Sequence, residues 1–337
     1  MSKKMFSVSN LAIVFAILLA MMFIATGCGS TDSNAPVEET PEETQEEQQE
    51  EVSNNDSREI VHAMGTTVVE GTPQRIVTLY QGATDAAVAF GVTPVGAVQS
   101  WVEQPFYEYL RDDLEGTVDL GEENQPNLEE IAKLKPDLII ASQMRHEEIY
   151  DQLTAIAPTV THETVFVFEE TVELMGKAMN KEEEANQLLA DWDARVADFQ
   201  TKAQETLGDE WPLNVSILNF RADHARIYFT GFAGSILADL GFTRPENQQS
   251  EEWGIILEDK EAITEMNADI FYIFNEDDPA VEQTFEEWKA HPLWATLDAV
   301  NNDQVYMVDA VTWNMAGGII AANLMLDDVY DRLGLEK

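Results

Sequence analysis

A chain of 337 residues with 63 Asp and Glu against 19 Lys and Arg carries a formal net charge of −44, so it cannot assemble the basic surface that nucleic-acid phosphates require. Its 45% hydrophobic residues can still bury a substantial core, and the length suits roughly two domains. A single cysteine, Cys28, excludes a disulfide framework, a Cys-rich zinc site and a protein-held iron–sulfur cluster.

The first predicted element is a leader. Lys3 and Lys4 precede an unbroken apolar run from Leu11 to Ile24, which as a helix spans only roughly 21 Å of a ~30 Å hydrocarbon core. That length fits the apolar region of a signal peptide over residues 1–27. Ala25, Thr26 and Gly27 lead into Cys28, and the segment resembles the lipobox of bacterial lipoproteins, with Ala25 where Leu is usual. The resemblance implies that Cys28 is lipidated and becomes the mature N-terminus, anchoring an extracytoplasmic protein to the cell membrane. The alternative is an uncleaved anchor with a solitary thiol.

Residues 29–57 hold ten acidic residues, no basic one and hardly any large apolar side chain. Such a segment cannot offset its ordering entropy, so 28–57 reads as a lipidated cysteine followed by an acidic, disordered tether. The remaining 53 acidic and 17 basic residues leave 58–337 at a formal −36.

From Arg75 onward short β-rich runs alternate with helical stretches, as in an α/β layer structure: RIVTLY, VTPVGAV, DLIIAS and APTVTH. After Trp211 a second series follows, with NVSILNF, ARIYF, DIFYIF and QVYMVD. Between them Leu188, Trp192, Val196, Phe199, Ala203 and Leu207 recur every three or four residues, which predicts one apolar stripe on a helix of roughly 40 Å over Lys181–Leu207. The expected organisation is an N-terminal lobe over 58–168, a linking helical region over 169–210 and a C-terminal lobe over 211–337.

The chain also repeats itself. Glu129, Ile131, Leu134, Asp137, Leu138 and Ile139 match Glu261, Ile263, Met266, Asp269, Ile270 and Phe271 position for position. Each copy predicts a helix that begins near the Glu and hands the chain to an Asp opening a buried strand. One copy is ordinary αβ punctuation; two aligned copies point to equivalent elements in the two lobes.

With the segments PQRIV (73–77), PNLEEIAKLKPDLII (126–140), RHEEIYDQLTAIAPTV (145–160), FRADHARIYF (220–229) and GFTRP (241–245), the body resembles the iron–siderophore class of bacterial substrate-binding proteins. That class serves importers related to the ferric-citrate, hydroxamate and vitamin B12 systems. The resemblance implies the class III periplasmic-binding-protein fold, an α/β molecule of two Rossmann-like lobes joined by one long spine helix. It further implies a ferric siderophore as ligand, no cofactor of the protein's own, and an ABC permease dimer with its ATPase as partner. Glu129 and Glu261 stand where that class docks its permease.

Arg145, Arg221, Arg226 and Arg244 fall at strand ends or in the following loops of those segments, where clefts of open α/β sheets form. A guanidinium offers paired donors to carboxylates and stays charged at any working pH, so a citrate-type, hydroxycarboxylate or hydroxamate ferric complex is the expected guest. His146 is an expected further donor, cationic if an anion raises its pKa. Tyr80, Trp101, Tyr228 and Trp313 are candidate aromatic walls. Each also has a structural reading: Arg145 or Arg244 as a helix cap or ion-pair partner, Arg221 and Arg226 as hairpin surface charges, Trp101 and Trp313 as core.

Enzymatic motifs are missing from the sequence: no Gly-x-Ser-x-Gly, no Walker loop, no Gly-x-Gly-x-x-Gly, and no second histidine after His146-Glu147-Glu148. A carboxylate-dyad hydrolase is the enzyme alternative. Within the binding class the alternatives are a heme or cobalamin receptor of the same fold, and a direct metal-ion receptor using His62, His146, His162 and His224.

Overall fold

The computed structural model describes residues 57–337, so the leader of 1–27, Cys28 and nearly all of the tether lie outside the described residues. The first described element is an antiparallel hairpin of β1 (Ser57–His62) and β2 (Gly65–Glu70), which the sequence reading, starting its strands at Arg75, did not separate out. It is fastened to the neighbouring sheet where the Ala63 N–H donates to the Thr161 carbonyl at 3.0 Å and His62 Nδ1 meets Thr161 Oγ1 at 2.9 Å.

Five parallel strands follow: β3 (Ile76–Thr78), β4 (Gly96–Ala97), β5 (Val118–Asp119), β6 (Leu138–Ser142) and β7 (Thr159–His162), in the spatial order β5-β4-β3-β6-β7. All five residues of β6 are buried. Its uninterrupted LIIAS run is what a central parallel strand, covered on both faces, requires.

The second sheet contains β8 (Val215–Phe220), β9 (Ala225–Tyr228), β10 (Gly254–Leu257), β11 (Ile270–Ile273) and β12 (Val305–Met307), ordered β10-β9-β8-β11-β12. Here β8, β11 and β12 are parallel, β9 runs antiparallel to β8, and β10 pairs antiparallel with β9, giving a mixed edge. The two α/β lobes are joined by the helix Glu182–Leu207. Its Trp192, Phe199 and Ala203 are buried and Leu188 and Val196 half-buried, as the stripe predicts. Phe168 packs edge-on against Trp192 at 5.2 Å, and Phe199 against Tyr330 at 5.2 Å.

The internal repeat has a structural counterpart. Asn127 accepts from the Glu129 and Glu130 N–H groups at 3.1 and 3.2 Å, and Asp259, at the matching position, accepts from Glu261 at 2.9 Å. The first copy is the α-helix Leu128–Leu134, the second the tighter 3₁₀ stretch Lys260–Met266. Ten positions past each cap, Asp137 accepts the N–H groups of Gln74 and Arg75 at 2.8 Å and Asp269 that of Asn214 at 2.8 Å. Each aspartate thus ties the strand it opens to the entry of the parallel neighbour.

The stretch 211–337 is not confined to its own lobe. The helix Ile319–Leu333 packs on the helix Gln81–Ala89 of the first lobe, where the buried Asp85 carboxylate accepts the N–H groups of Ile320 (2.8 Å) and Ala321 (3.0 Å) and the Tyr109 hydroxyl (2.7 Å). Contact there is close enough that a Cβ on Gly82 would lie 2.4 Å from the Gly317 carbonyl oxygen. The Tyr107 hydroxyl adds a bond to the Met315 carbonyl at 3.2 Å. The two lobes are clasped at this point.

Candidate functional site

In both sheets the parallel strands release their chains toward the same gap, the position where open α/β sheets bind ligands. The turns after β3, β4, β6 and β7 place Gln81, Trp101, Arg145 and Phe166, and those after β8, β11 and β12 place Arg221, Asn275 to Asp278, Val308 to Val311 and Asn314 to Gly317. Together they enclose a cleft of about 1050 Å³ between the lobes. Its floor is the glycine contact of Gly82 and Gly317.

Four of the residues singled out from sequence line this cleft: Arg145 and Trp101 from the first lobe, Arg221 and Tyr228 from the second. Trp101 is 44% exposed and Tyr228 lies against Phe274 at 5.4 Å. The Arg145 Nε–H donates to Glu123 Oε1 at 3.0 Å; Glu123 is only 3% exposed and also accepts the Gln81 N–H at 3.1 Å. Burial pushes the Glu123 carboxyl up, and the Arg145 guanidinium beside it pulls it part of the way back. Arg221 is paired with Glu276 within its own lobe.

The other five expectations are corrected. His146 follows Arg145 on a short helix, and one step of about 100° turns it inward. It is fully buried, with Nε2 at 2.9 Å from the Glu123 carbonyl and Nδ1 at 3.1 Å from Ser142. Burial lowers its pKa, opposite to the rise expected beside an anion. Tyr80 is fully buried, its hydroxyl at 3.1 Å from Thr171 Oγ1. Trp313 is likewise in the core, its ring tilted against Tyr272 at 4.5 Å between centroids and its indole N–H donating to Asp328 at 3.0 Å. Arg226 donates to His224 Nε2 at 2.9 Å, and Arg244 donates to the Phe229 carbonyl beside a separate cavity of about 20 Å³ that no chelate could enter. Of the structural readings, the core position holds for Trp313; Arg226 bonds its hairpin neighbour His224, and Arg244 bonds a loop carbonyl rather than a helix end or an acid.

The cleft is also more acidic than its arginines suggested. Glu103, Glu123, Glu276, Asp277, Asp278 and Asp309 all line it. Several are occupied by the chain itself: Glu103 accepts the Glu108 N–H at 2.8 Å, Asp278 that of Ala280 at 2.7 Å, and Asp309 the N–H and hydroxyl of Thr312, both at 2.8 Å. Sequence reasoning missed them because acids are everywhere in this chain. The one usable signal was position: Glu276, Asp277 and Asp278 stand just past the buried run DIFYIF, and Asp309 closes QVYMVD.

The histidines do not converge. His62 lies between Thr161 and Thr67, each at 2.9 Å, and His162 bonds Glu170 at 2.8 Å. His224 bonds Asp223 at 2.6 Å, and among the described residues no group of three or more His, Cys, Asp or Glu is placed to hold a metal ion. Glu129 and Glu261 are exposed at the surface and do not line the cleft. Among the described residues no helix is long and apolar enough to cross a membrane.

Comparison with known proteins agrees with this geometry. The sequence profile of the family described as Periplasmic binding protein matches residues 76–312. The achromobactin-binding periplasmic protein of Dickeya dadantii is 45% identical over 266 residues, 78% of this chain and 87% of that protein. The probable siderophore-binding lipoprotein YfiY of Bacillus subtilis is 39% identical over 332 residues, 95% of this chain and 97% of its own length. The crystal structure of Staphylococcus aureus SirA complexed with staphyloferrin B aligns with a TM-score of 0.80 at 50% identity, covering 83% of this chain and 99% of that one.

Proposed function

This chain belongs to the periplasmic binding protein family, binding proteins rather than enzymes, and from that premise we propose that it is the siderophore receptor of an ABC importer, taking a carboxylate-bearing ferric chelate into its cleft. The observation that carries this reading is one guanidinium from each lobe, Arg145 and Arg221, on opposite walls of the gap, beside the exposed ring of Trp101. Paired N–H donors suit carboxylate oxygens, and the volume suits a compact chelate. Relatives that bind achromobactin and staphyloferrin B support the ligand class. In this reading the iron is cargo held by its chelator, and the protein makes and breaks no bond.

A fluorescence titration tests it, with ferric dicitrate, a neutral ferric trihydroxamate, a ferric tris-catecholate, hemin and cobalamin as probes. Saturable one-to-one quenching by the carboxylate chelate, without turnover, is expected. Quenching by hemin or cobalamin alone overturns the ligand class, and release of a product overturns the binder reading.

Within the same proposal, Cys28 carries the lipid that holds the receptor at the outer face of the cell membrane, and Glu129 and Glu261 dock basic pockets of the permease dimer. The repeat supports the docking role, since both glutamates are exposed and held at equivalent caps on the two lobes. Exposed carboxylates on two rigid bodies can report lobe spacing through charge-assisted bonds. Replacing both with alanine should leave chelate affinity unchanged while cutting cellular uptake of labelled iron by about tenfold or more. Unchanged uptake would remove the glutamates from the interface.

A further inference from the structure

The two cleft arginines are held in different ways. Glu123 cannot leave Arg145 cheaply: it is 3% exposed and fixed by the Gln81 N–H as well. Glu276 is 43% exposed, sits on the loop between β11 and the helix Pro279–Lys289, and among the described residues its carboxylate bonds Arg221 alone. Beside this pair two donors are buried without acceptors, Arg221 Nε and Asn275 Nδ2. Both residues line the cleft, and both are held by their other atoms. The Arg221 N–H donates to the His224 carbonyl at 2.8 Å, and Asn275 Oδ1 accepts the Phe220 N–H at 2.9 Å. A buried donor without an acceptor is costly, so the second wall of the cleft has unmet capacity for oxygen.

We propose that Arg221 and Asn275 form an anion-exchange subsite in which the Glu276 carboxylate stands in for a ligand carboxylate and swings out when the chelate enters. This rests on the receptor reading above and adds a specificity rule to it. A chelate with a free carboxylate replaces Glu276 and satisfies the two idle donors. A chelate with no anionic group leaves Glu276 on Arg221 and gains nothing from this wall. Selection thus works by competition with an internal anion, which also lowers the apparent affinity for the right guest.

The test uses the purified protein with ferric dicitrate and a neutral ferric trihydroxamate as probes. Glu276→Gln removes the competing charge and should tighten ferric dicitrate by about twofold to fivefold, the range set by releasing a partly exposed ion pair, with no change for the trihydroxamate. Asn275→Asp keeps the acceptor for Phe220 but replaces the idle donor with a second carboxylate, and should weaken ferric dicitrate by at least about tenfold while lowering the melting temperature, since the new oxygen is buried. Unchanged or weaker dicitrate binding by Glu276→Gln, in a protein whose wild type binds dicitrate, overturns the exchange and leaves the receptor reading intact. Equal tightening of both probes also overturns it. Wild-type protein that binds no ferric chelate overturns the receptor reading itself.

Discussion

Arg145→Ala should lower the affinity for a carboxylate-bearing ferric chelate by about a hundredfold, the scale of losing one charge-assisted partner in a desolvated site. The same change removes the cation from Glu123, which is nearly inaccessible to water. An unpaired buried carboxylate is strongly destabilising, by up to about 3–5 kcal/mol where both partners are fully buried. Arg145 keeps 29% of its side chain exposed, and Glu123, already pushed up by burial, can take a proton instead. The expected loss of stability is therefore smaller, about 1–3 kcal/mol. Urea melts and chelate titrations on Arg145→Ala, Glu123→Gln and the double variant separate the two roles. The double variant should regain most of the stability and none of the affinity. Wild-type affinity in Arg145→Ala would show that this guanidinium never touches the guest.

Asp85→Leu should destabilise the fold by about 2–4 kcal/mol, because it leaves two backbone N–H groups and a tyrosine hydroxyl buried without an acceptor. Those groups are Ile320, Ala321 and Tyr109, the last pushed well above its ordinary range by burial and by the Asp85 charge. The carboxylate's own charge is a separate matter. Burial, only partly offset by those hydrogen bonds, pushes the Asp85 pKa up to about 6. Between the ordinary aspartate value near 4 and that value the folded state holds a proton the unfolded chain has released. Its contribution to stability therefore falls as pH rises through this window and levels off above it. Wild-type melting temperature should be higher at pH 5 than at pH 7.5. Asp85→Asn should flatten part of that slope; the rest remains with Glu169, which burial, with Asp239 and Glu170 beside it, pushes up to about 7, and with Glu123 and Asp239, also raised by burial, while His146, lowered by burial, acts in the opposite sense. An identical slope in wild type and Asp85→Asn would mean that the clasp is not where the proton resides.

Much of the framework was legible because its signals are redundant. DLIIAS and DIFYIF are uninterrupted apolar runs behind an aspartate, the spine shows one stripe over about five turns from Leu188 to Leu207, and the repeat fixes which elements correspond. The elements that escaped are short or two-faced: β5 has two residues, both exposed, and β1 alternates exposed and buried positions along its length. At the site, position after a strand correctly brought Arg145 and Arg221 to one gap, but periodicity could not say which neighbour turns inward. Arg145 and His146 are adjacent in sequence and face opposite ways, and Trp313 follows β12 as closely as the cleft residues do yet fills the core. Glu123 and Glu276 decide what the arginines can do; Glu276 is marked only by its position past a strand, and nothing in a sequence with 63 acids marks Glu123.

The helix Ile319–Leu333, seated on Asp85 and the glycine floor, also sets the order in which the molecule can be built. The first lobe is translated early, but the face of its helix Gln81–Ala89 that carries Asp85 lacks its partner until residues 319–333 have been made. A nascent chain stopped short of Ile319 carries a carboxylate with no amide to receive and an apolar face with nothing on it. Such long-range closure is slow compared with local packing. The Asp85 contact, made across 235 positions of the chain, therefore makes completion of the first lobe depend on the distant stretch 319–333.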